Sequence, residues 1–100
     1  MKYTVKFPTR SHQKDFEQTL LAISYINTQN RIMKEIEALG NDARPYREKK
    51  FKKLEIPINI YKFAARYRIR IGDYRVLYDV DDKKKTIWIL KLKRRNEKTY

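Results

Sequence analysis

Tyr67-Arg68-Ile69-Arg70-Ile71-Gly72-Asp73-Tyr74-Arg75-Val76-Leu77-Tyr78 is the stretch whose reading decides the fold. On both sides of Gly72-Asp73, apolar or aromatic residues alternate with basic ones. A period of two is that of a β-strand with one buried face. Gly72 at the first central position of a two-residue connection accepts the positive φ that tight hairpins require. A two-residue turn also sets the register, so the spacing predicts Ile71 opposite Tyr74, Arg70 opposite Arg75, Ile69 opposite Val76 and Arg68 opposite Leu77. Two arginines facing each other cost up to about 1 kcal/mol unless an anion lies near them. The hairpin therefore has an apolar face suited to a core and a cationic face suited to an anion.

Downstream, Asp81-Asp82-Lys83-Lys84-Lys85 reads as a charged turn and Thr86 to Lys93 as a third strand. Placing Val80 opposite Thr86 predicts Lys91 opposite Arg75. In that register Tyr67, Ile69, Ile71, Tyr74, Val76, Tyr78, Trp88, Leu90 and Leu92 share the core face. Arg68, Arg70, Arg75, Lys91 and Lys93 share the other face, beside Leu77, Ile87 and Ile89. Upstream, Leu54 to Phe63 carries Pro57, which removes a ladder donor, so it reads as loop or edge strand. Asn41 to Leu54 is polar and basic, and its secondary structure is ambiguous.

The first 40 residues read differently. Tyr3, Val5 and Phe7 alternate as a strand over Lys2 to Phe7, and Pro8-Thr9-Arg10-Ser11 ends it. Thr9 or Ser11 can cap a helix over about Ser11 to Ile26, where Phe16, Leu20, Ile23 and Ile26 or Asn27 step by three and four. Asn27-Thr28-Gln29-Asn30 reads as a turn or kink. Ile32, Met33, Ile36 and Leu39 form a second helical stripe, with Gly40 at the C-cap position. The predicted class is α+β, a single domain over 1–100, with an N-terminal strand, a helical hairpin and an antiparallel sheet packed on the helices.

Composition narrows the chemistry. The 100 residues include 25 Lys and Arg against 12 Asp and Glu, a net charge of +13. Residues 1–50 carry 10 basic and 6 acidic side chains, and 51–100 carry 15 and 6. Such an excess favours nucleic acid, an anionic membrane surface or an acidic protein. With no Cys and one His, disulfides, thiolate metal sites, cysteine nucleophiles and multi-histidine metal sites are excluded. Neither a membrane span nor a signal-peptide apolar block is present. No helix pairs a basic face with an aromatic insertion face, so membrane binding ranks low. His12 reads as a solvated helix residue.

The 67–81 motif, the lysine turn and Ile87-Trp88-Ile89-Leu90-Lys91-Leu92-Lys93-Arg94-Arg95 resemble the RelE/ParE toxin superfamily, and within it the archaeal RelE proteins. Arg47 to Glu55 is similar to the segment that precedes the sheet in those members. The resemblance spans nearly the whole chain and implies a RelE-like microbial RNase fold. It implies a cytoplasmic, ribosome-dependent endoribonuclease that cuts mRNA in the ribosomal A site through the ribose 2'-hydroxyl and so inhibits translation. It implies no metal and no cofactor. The implied partner besides mRNA and the ribosome is an acidic, RelB-like antitoxin.

By the same resemblance, the catalytic set falls on Arg68, Arg70, Arg75, Arg94 and Tyr100, with Arg95 the alternative to Arg94. Lys52, Lys53, Lys91, Lys93 and Arg95 are the expected RNA-binding cations. The bacterial enzyme carries Lys where this chain has Arg68 and Arg70. Arginine essentially never gives up its proton, so these two suit charge stabilisation, and proton transfer passes to Tyr100 or a lysine such as Lys93. Two other functions remain open: a ParE-like gyrase inhibitor, and an RNA- or ribosome-binding homologue that cuts nothing.

Overall fold

Strand β1 (Thr4–Lys6) is followed by helices α1 (Arg10–Leu21) and α2 (Ile26–Ala38). Four strands complete the chain: β2 (Phe51–Ile60), β3 (Phe63–Ile71), β4 (Tyr74–Asp81) and β5 (Thr86–Arg94). The structure is a computed structural model that describes residues 2–95. The five strands form one sheet in the order β1-β5-β4-β3-β2. The class is the expected α+β. The sheet, however, is mixed, because β1 runs parallel to β5 with Thr4 beside Thr86 and Lys6 beside Trp88. The expectation of an antiparallel sheet holds for the other three pairings only. A parallel neighbour needs a crossover, and the helical hairpin is part of that crossover.

Thr9 is the N-cap of α1, and its hydroxyl accepts from the His12 amide. The break between the helices lies at residues 22–25, and Asn27-Thr28-Gln29-Asn30, expected as a turn, forms the start of α2. Polar side chains are accommodated in a first helical turn, and Gln29 Nε2 donates to the Ile23 carbonyl at 2.8 Å, closing the loop. Gly40 follows α2 as expected, but Leu39 is the C-cap and has a right-handed backbone. Close approach explains the glycine instead. The Tyr3 amide donates to the Gly40 carbonyl at 2.7 Å, and a Cβ at residue 40 would lie 3.0 Å from the Tyr3 oxygen.

The side chains of α1, α2 and the inner sheet face build the main core around Phe16, Ile32, Ile36, Leu39, Ile69, Tyr78, Ile87 and Ile89. Tyr78 is fully buried and its hydroxyl donates to the Ala43 carbonyl at 2.8 Å; burial pushes its phenol far above the ordinary tyrosine range. His12 is also fully buried, which corrects the expectation of a solvated residue. Its Nε2 lies 2.8 Å from the Ile60 carbonyl and its Nδ1 2.6 Å from Thr9 Oγ1. The rings of Tyr61 and Phe63 meet it edge-on. A carbonyl can only accept, so Nε2 is the donor, and the histidine pins the β2–β3 turn to α1.

The segment between α2 and β2 is held by charge. Arg44 donates to both carboxylate oxygens of Asp82 and, through Nε, to the Tyr67 hydroxyl at 2.8 Å. Tyr3 donates to the same carboxylate at 2.6 Å. The Arg44 guanidinium, followed by the Tyr3 hydroxyl, holds the Asp82 carboxyl at about 2, below the ordinary aspartate range. A carboxyl whose pKa is lower in the folded state stabilises above its unfolded value and loses that contribution as pH falls toward the folded one. Asp82 therefore supports the fold above about pH 5, with the support fading between about pH 4 and pH 2. Asp82→Asn is expected to flatten this part of the acid stability profile, as read by urea midpoints between pH 2 and pH 6.

Candidate nucleic-acid interface

The β3–β4 hairpin has the register that its turn predicts, with Ile71 opposite Tyr74, Arg70 opposite Arg75, Ile69 opposite Val76 and Arg68 opposite Leu77. Gly72 takes φ +58°, the left-handed conformation that side chains disfavour. Directly opposed residues lie on one sheet face, so the ladders locate the charges. One row across the sheet runs Lys52, Arg68, Leu77, Lys91 on β2, β3, β4 and β5. The next row, nearer the turn, runs Arg70, Arg75, Lys93. Six cations thus occupy two adjacent rows on the face away from the helices.

The β4–β5 register differs from the expected one. Asp81 pairs with Thr86 and Val80 with Ile87, so the turn is one residue tighter and the inward positions shift by one. Ile87 and Ile89, expected on the cationic face, enter the main core. Leu90, expected in that core, is buried in a second cluster on the opposite face with Ala65 and Leu77, and Trp88 packs beside it. A bulge between Leu77 and Tyr78 in the ladder restores the phase, so Leu92 points to the core as expected. Lys91 and Lys93 keep their predicted face, but Lys93 rather than Lys91 stands opposite Arg75. A one-residue slip inverts every side chain, and the bulge inverts them back.

Lys52, Leu54, Ile58, Arg68, Arg70, Arg75 and Leu77 line a cleft of about 340 Å³. No carboxylate occurs among these described lining residues. The Nε atoms of Arg68 and Arg75 are buried, which turns the inner edge of each guanidinium into the protein. Lys93 is only 2% exposed, and Lys91 is half-buried. Each guanidinium is a planar, permanently charged fork that matches two phosphate oxygens. The cleft is thus suited to binding a phosphodiester and to stabilising extra charge on it.

The other expected site residues fall elsewhere. Lys53 pairs with the core residue Tyr67, which puts it on the opposite side of β2 from Lys52. Arg94 stands opposite Tyr74, and the two line a separate cleft with Gln18, Thr19, Ala22 and Ile23 of the first helical layer. Arg94 is therefore on the helix side of the sheet and does not join Arg68, Arg70 and Arg75. Arg95 is exposed in the turn after β5, its amide donating to the Asp73 carbonyl at 2.6 Å. Tyr100 lies outside the described residues. Leu77, expected beside the cations, forms one apolar wall of the cleft; the other two, Leu54 and Ile58, were not singled out from sequence. The alternating Leu54-Glu55-Ile56-Pro57-Ile58 run was their only signal.

Among the described residues no helix is long and apolar enough to cross a membrane, and no group of three metal-ligating side chains occurs. No curated protein matches the sequence. Among solved structures, the archaeal RelE–RelB complex from Pyrococcus horikoshii OT3 contains a chain 31% identical at TM-score 0.71, covering 97% of this chain and 99% of that one. The RelBE2 toxin–antitoxin complex of Mycobacterium tuberculosis has 20% identity and TM-score 0.64, with coverage of 97% and 95%. A free double arginine-to-alanine mutant of the toxin RelE from E. coli has 16% identity and TM-score 0.64, with coverage of 96% and 86%. The last two share the fold. The profile of the ParE toxin of type II toxin-antitoxin systems, parDE, matches residues 9–99. With the hairpin motif, the sheet order and these likenesses in agreement, the chain belongs to the RelE/ParE superfamily of type II toxin–antitoxin toxins.

Proposed function

We propose that this toxin is a metal-independent endoribonuclease that cleaves mRNA in the ribosomal A site, with Arg68, Arg70 and Arg75 on the scissile phosphate. The observation that carries the reading is the two-row cationic face, where Arg70, Arg75 and Lys93 stand side by side. A phosphodiester lying on that face meets permanent positive charge from two neighbouring strands at once. In the reaction the ribose 2'-oxygen attacks phosphorus and loses its proton, while the 5'-oxygen leaves and gains one. The products are a 2',3'-cyclic phosphate and a 5'-hydroxyl end. Arg75 stabilises charge that builds on the phosphoryl oxygens, and Arg68 and Arg70 hold the flanking backbone.

None of the three arginines is suited to proton transfer, since guanidinium stays protonated. That task is assigned to Lys93, the lysine opposite Arg75, together with Tyr100. Arg94 and Arg95 then serve outside the cleft. Neutralisation falls to an acidic antitoxin, a reading supported by the RelE–RelB assemblies among the similar structures. Such a toxin acts in the cytoplasm.

Added to a purified translation extract, the wild-type chain is expected to stop synthesis and to leave mRNA cut at A-site codons with cyclic phosphate ends. Undiminished translation and intact mRNA would sink the proposal. The match to the ParE family favours one second reading, a gyrase inhibitor. In that case supercoiling by gyrase stops while the translation extract is unaffected.

A further inference from the structure

The cationic cleft is not the only depression on its side of β2. A second groove of about 580 Å³ is lined by Lys52, Leu54, Glu55, Ile56, Pro57 and Ile58. Lys52, Leu54 and Ile58 line both, so the two adjoin. The groove arises where the β2–β3 ladder breaks register between Lys53 and Ile58, with Pro57 in the irregular stretch. Bulges beside functional sites re-aim side chains in this way. Ile56 is 82% exposed, the most exposed large apolar side chain among the described residues. An isoleucine and a proline standing in water on an edge strand invite a partner.

We infer that this groove holds the nucleobase attached to the phosphate in the arginine cleft. The inference rests on the ribonuclease reading and specifies its substrate contact. A base is tethered to its phosphate through a single ribose, so a phosphate on Arg68, Arg70 and Arg75 delivers its base to the adjoining wall. The charges divide accordingly: the cleft has cations without a carboxylate, whereas the groove has one of each, Lys52 and Glu55, around aliphatic side chains. A neutral, flat, apolar-faced ligand fits the second environment, and unstacked bases pack on apolar side chains. The volume lies within the range of about 300–1,000 Å³ typical of small-ligand sites. The wide exposure of Ile56 means that its side chain contributes little to the core, so replacing it tests binding without unfolding the protein.

The test measures binding of the full chain to a fluorescent single-stranded oligoribonucleotide in its cleavage-resistant 2'-methoxy form, and to an abasic oligomer of equal length. Wild type is expected to bind the base-bearing oligomer about tenfold more tightly than the abasic one. Ile56→Ser is expected to erase most of that tenfold preference while leaving the abasic affinity unchanged. Arg75→Ala is expected to weaken both oligomers alike. Equal binding of both oligomers by wild type, or an Ile56→Ser protein that keeps the preference, overturns the base-groove assignment. If Arg75→Ala also leaves binding unchanged, the phosphate reading fails with it. Concentration-dependent self-association that Ile56→Ser abolishes would assign the groove to a second copy of the chain and likewise overturn the inference.

Discussion

Arg75→Ala is expected to lower the rate of ribosome-dependent mRNA cleavage by about 100-fold or more, the usual consequence of removing one preorganised donor from a developing anion. Arg75 stands opposite both Arg70 and Lys93, at the centre of the row nearest the turn. Arg75 lies on the outer face of the sheet, away from the main core, so stability is expected to stay within about 1 kcal/mol of wild type. The combination of lost activity and retained melting temperature separates a role on the phosphate from a role in folding. Arg75→Lys, which keeps the charge but loses the planar fork, is expected to fall between the two. Full cleavage by Arg75→Ala, measured by primer extension on the same message, would remove this residue from the mechanism.

Ile89→Asp is expected to abolish folding, whereas Lys91→Asp, two residues away on the same strand, is expected to fold and to melt within a few degrees of wild type. Ile89 is 1% exposed and faces Tyr78 in the helix-side core. An uncompensated carboxylate there costs several kcal/mol, against a total stability of about 5–15 kcal/mol for a domain. Lys91 faces Leu77 beside the cationic row, where a carboxylate meets opposite charge. Circular dichroism with thermal melting reads both. In the register suggested by the bare alternation of β4 and β5, Ile89 shares the arginine face and aspartate would be welcome. A folded Ile89→Asp protein would therefore restore that register and contradict the bulge.

The two β-ladders show why some of this was legible and some was not. Between β3 and β4 the connection is two residues containing glycine, and few backbone solutions exist for it. The pairing of Arg70 with Arg75 follows from counting outward. Between β4 and β5 the turn is long and charged, and nothing local distinguishes Val80 opposite Thr86 from Asp81 opposite Thr86. The competition is settled by whether Ile87 and Ile89 or Trp88 and Leu90 fill the space under the helices. Only the packed layers define that space. Trp88 illustrates the difficulty, since a large aromatic in an apolar run reads as core, yet here it packs on the second, smaller cluster of the outer face. His12 failed for a similar reason. Ser11 and Gln13 beside it in sequence are polar, and it is held by the β2–β3 turn, 48 residues away in sequence at Ile60.

By itself the sequence determined the α+β class, the cationic hairpin and the presence of Arg68, Arg70 and Arg75 on one face. Each of these depends on contacts between residues close along the chain, where the period of the pattern and the geometry of a short turn leave little choice. The tertiary structure decided which lysine stands opposite Arg75, that Lys53 and Arg94 stand apart, and that an apolar groove adjoins the cleft. Those outcomes depend on a bulge in β5, a register shift in β2 and the packing of the helices on the sheet. A single added residue in a ladder reverses every side chain beyond it. Only the packing of both faces together sets whether that reversal occurs.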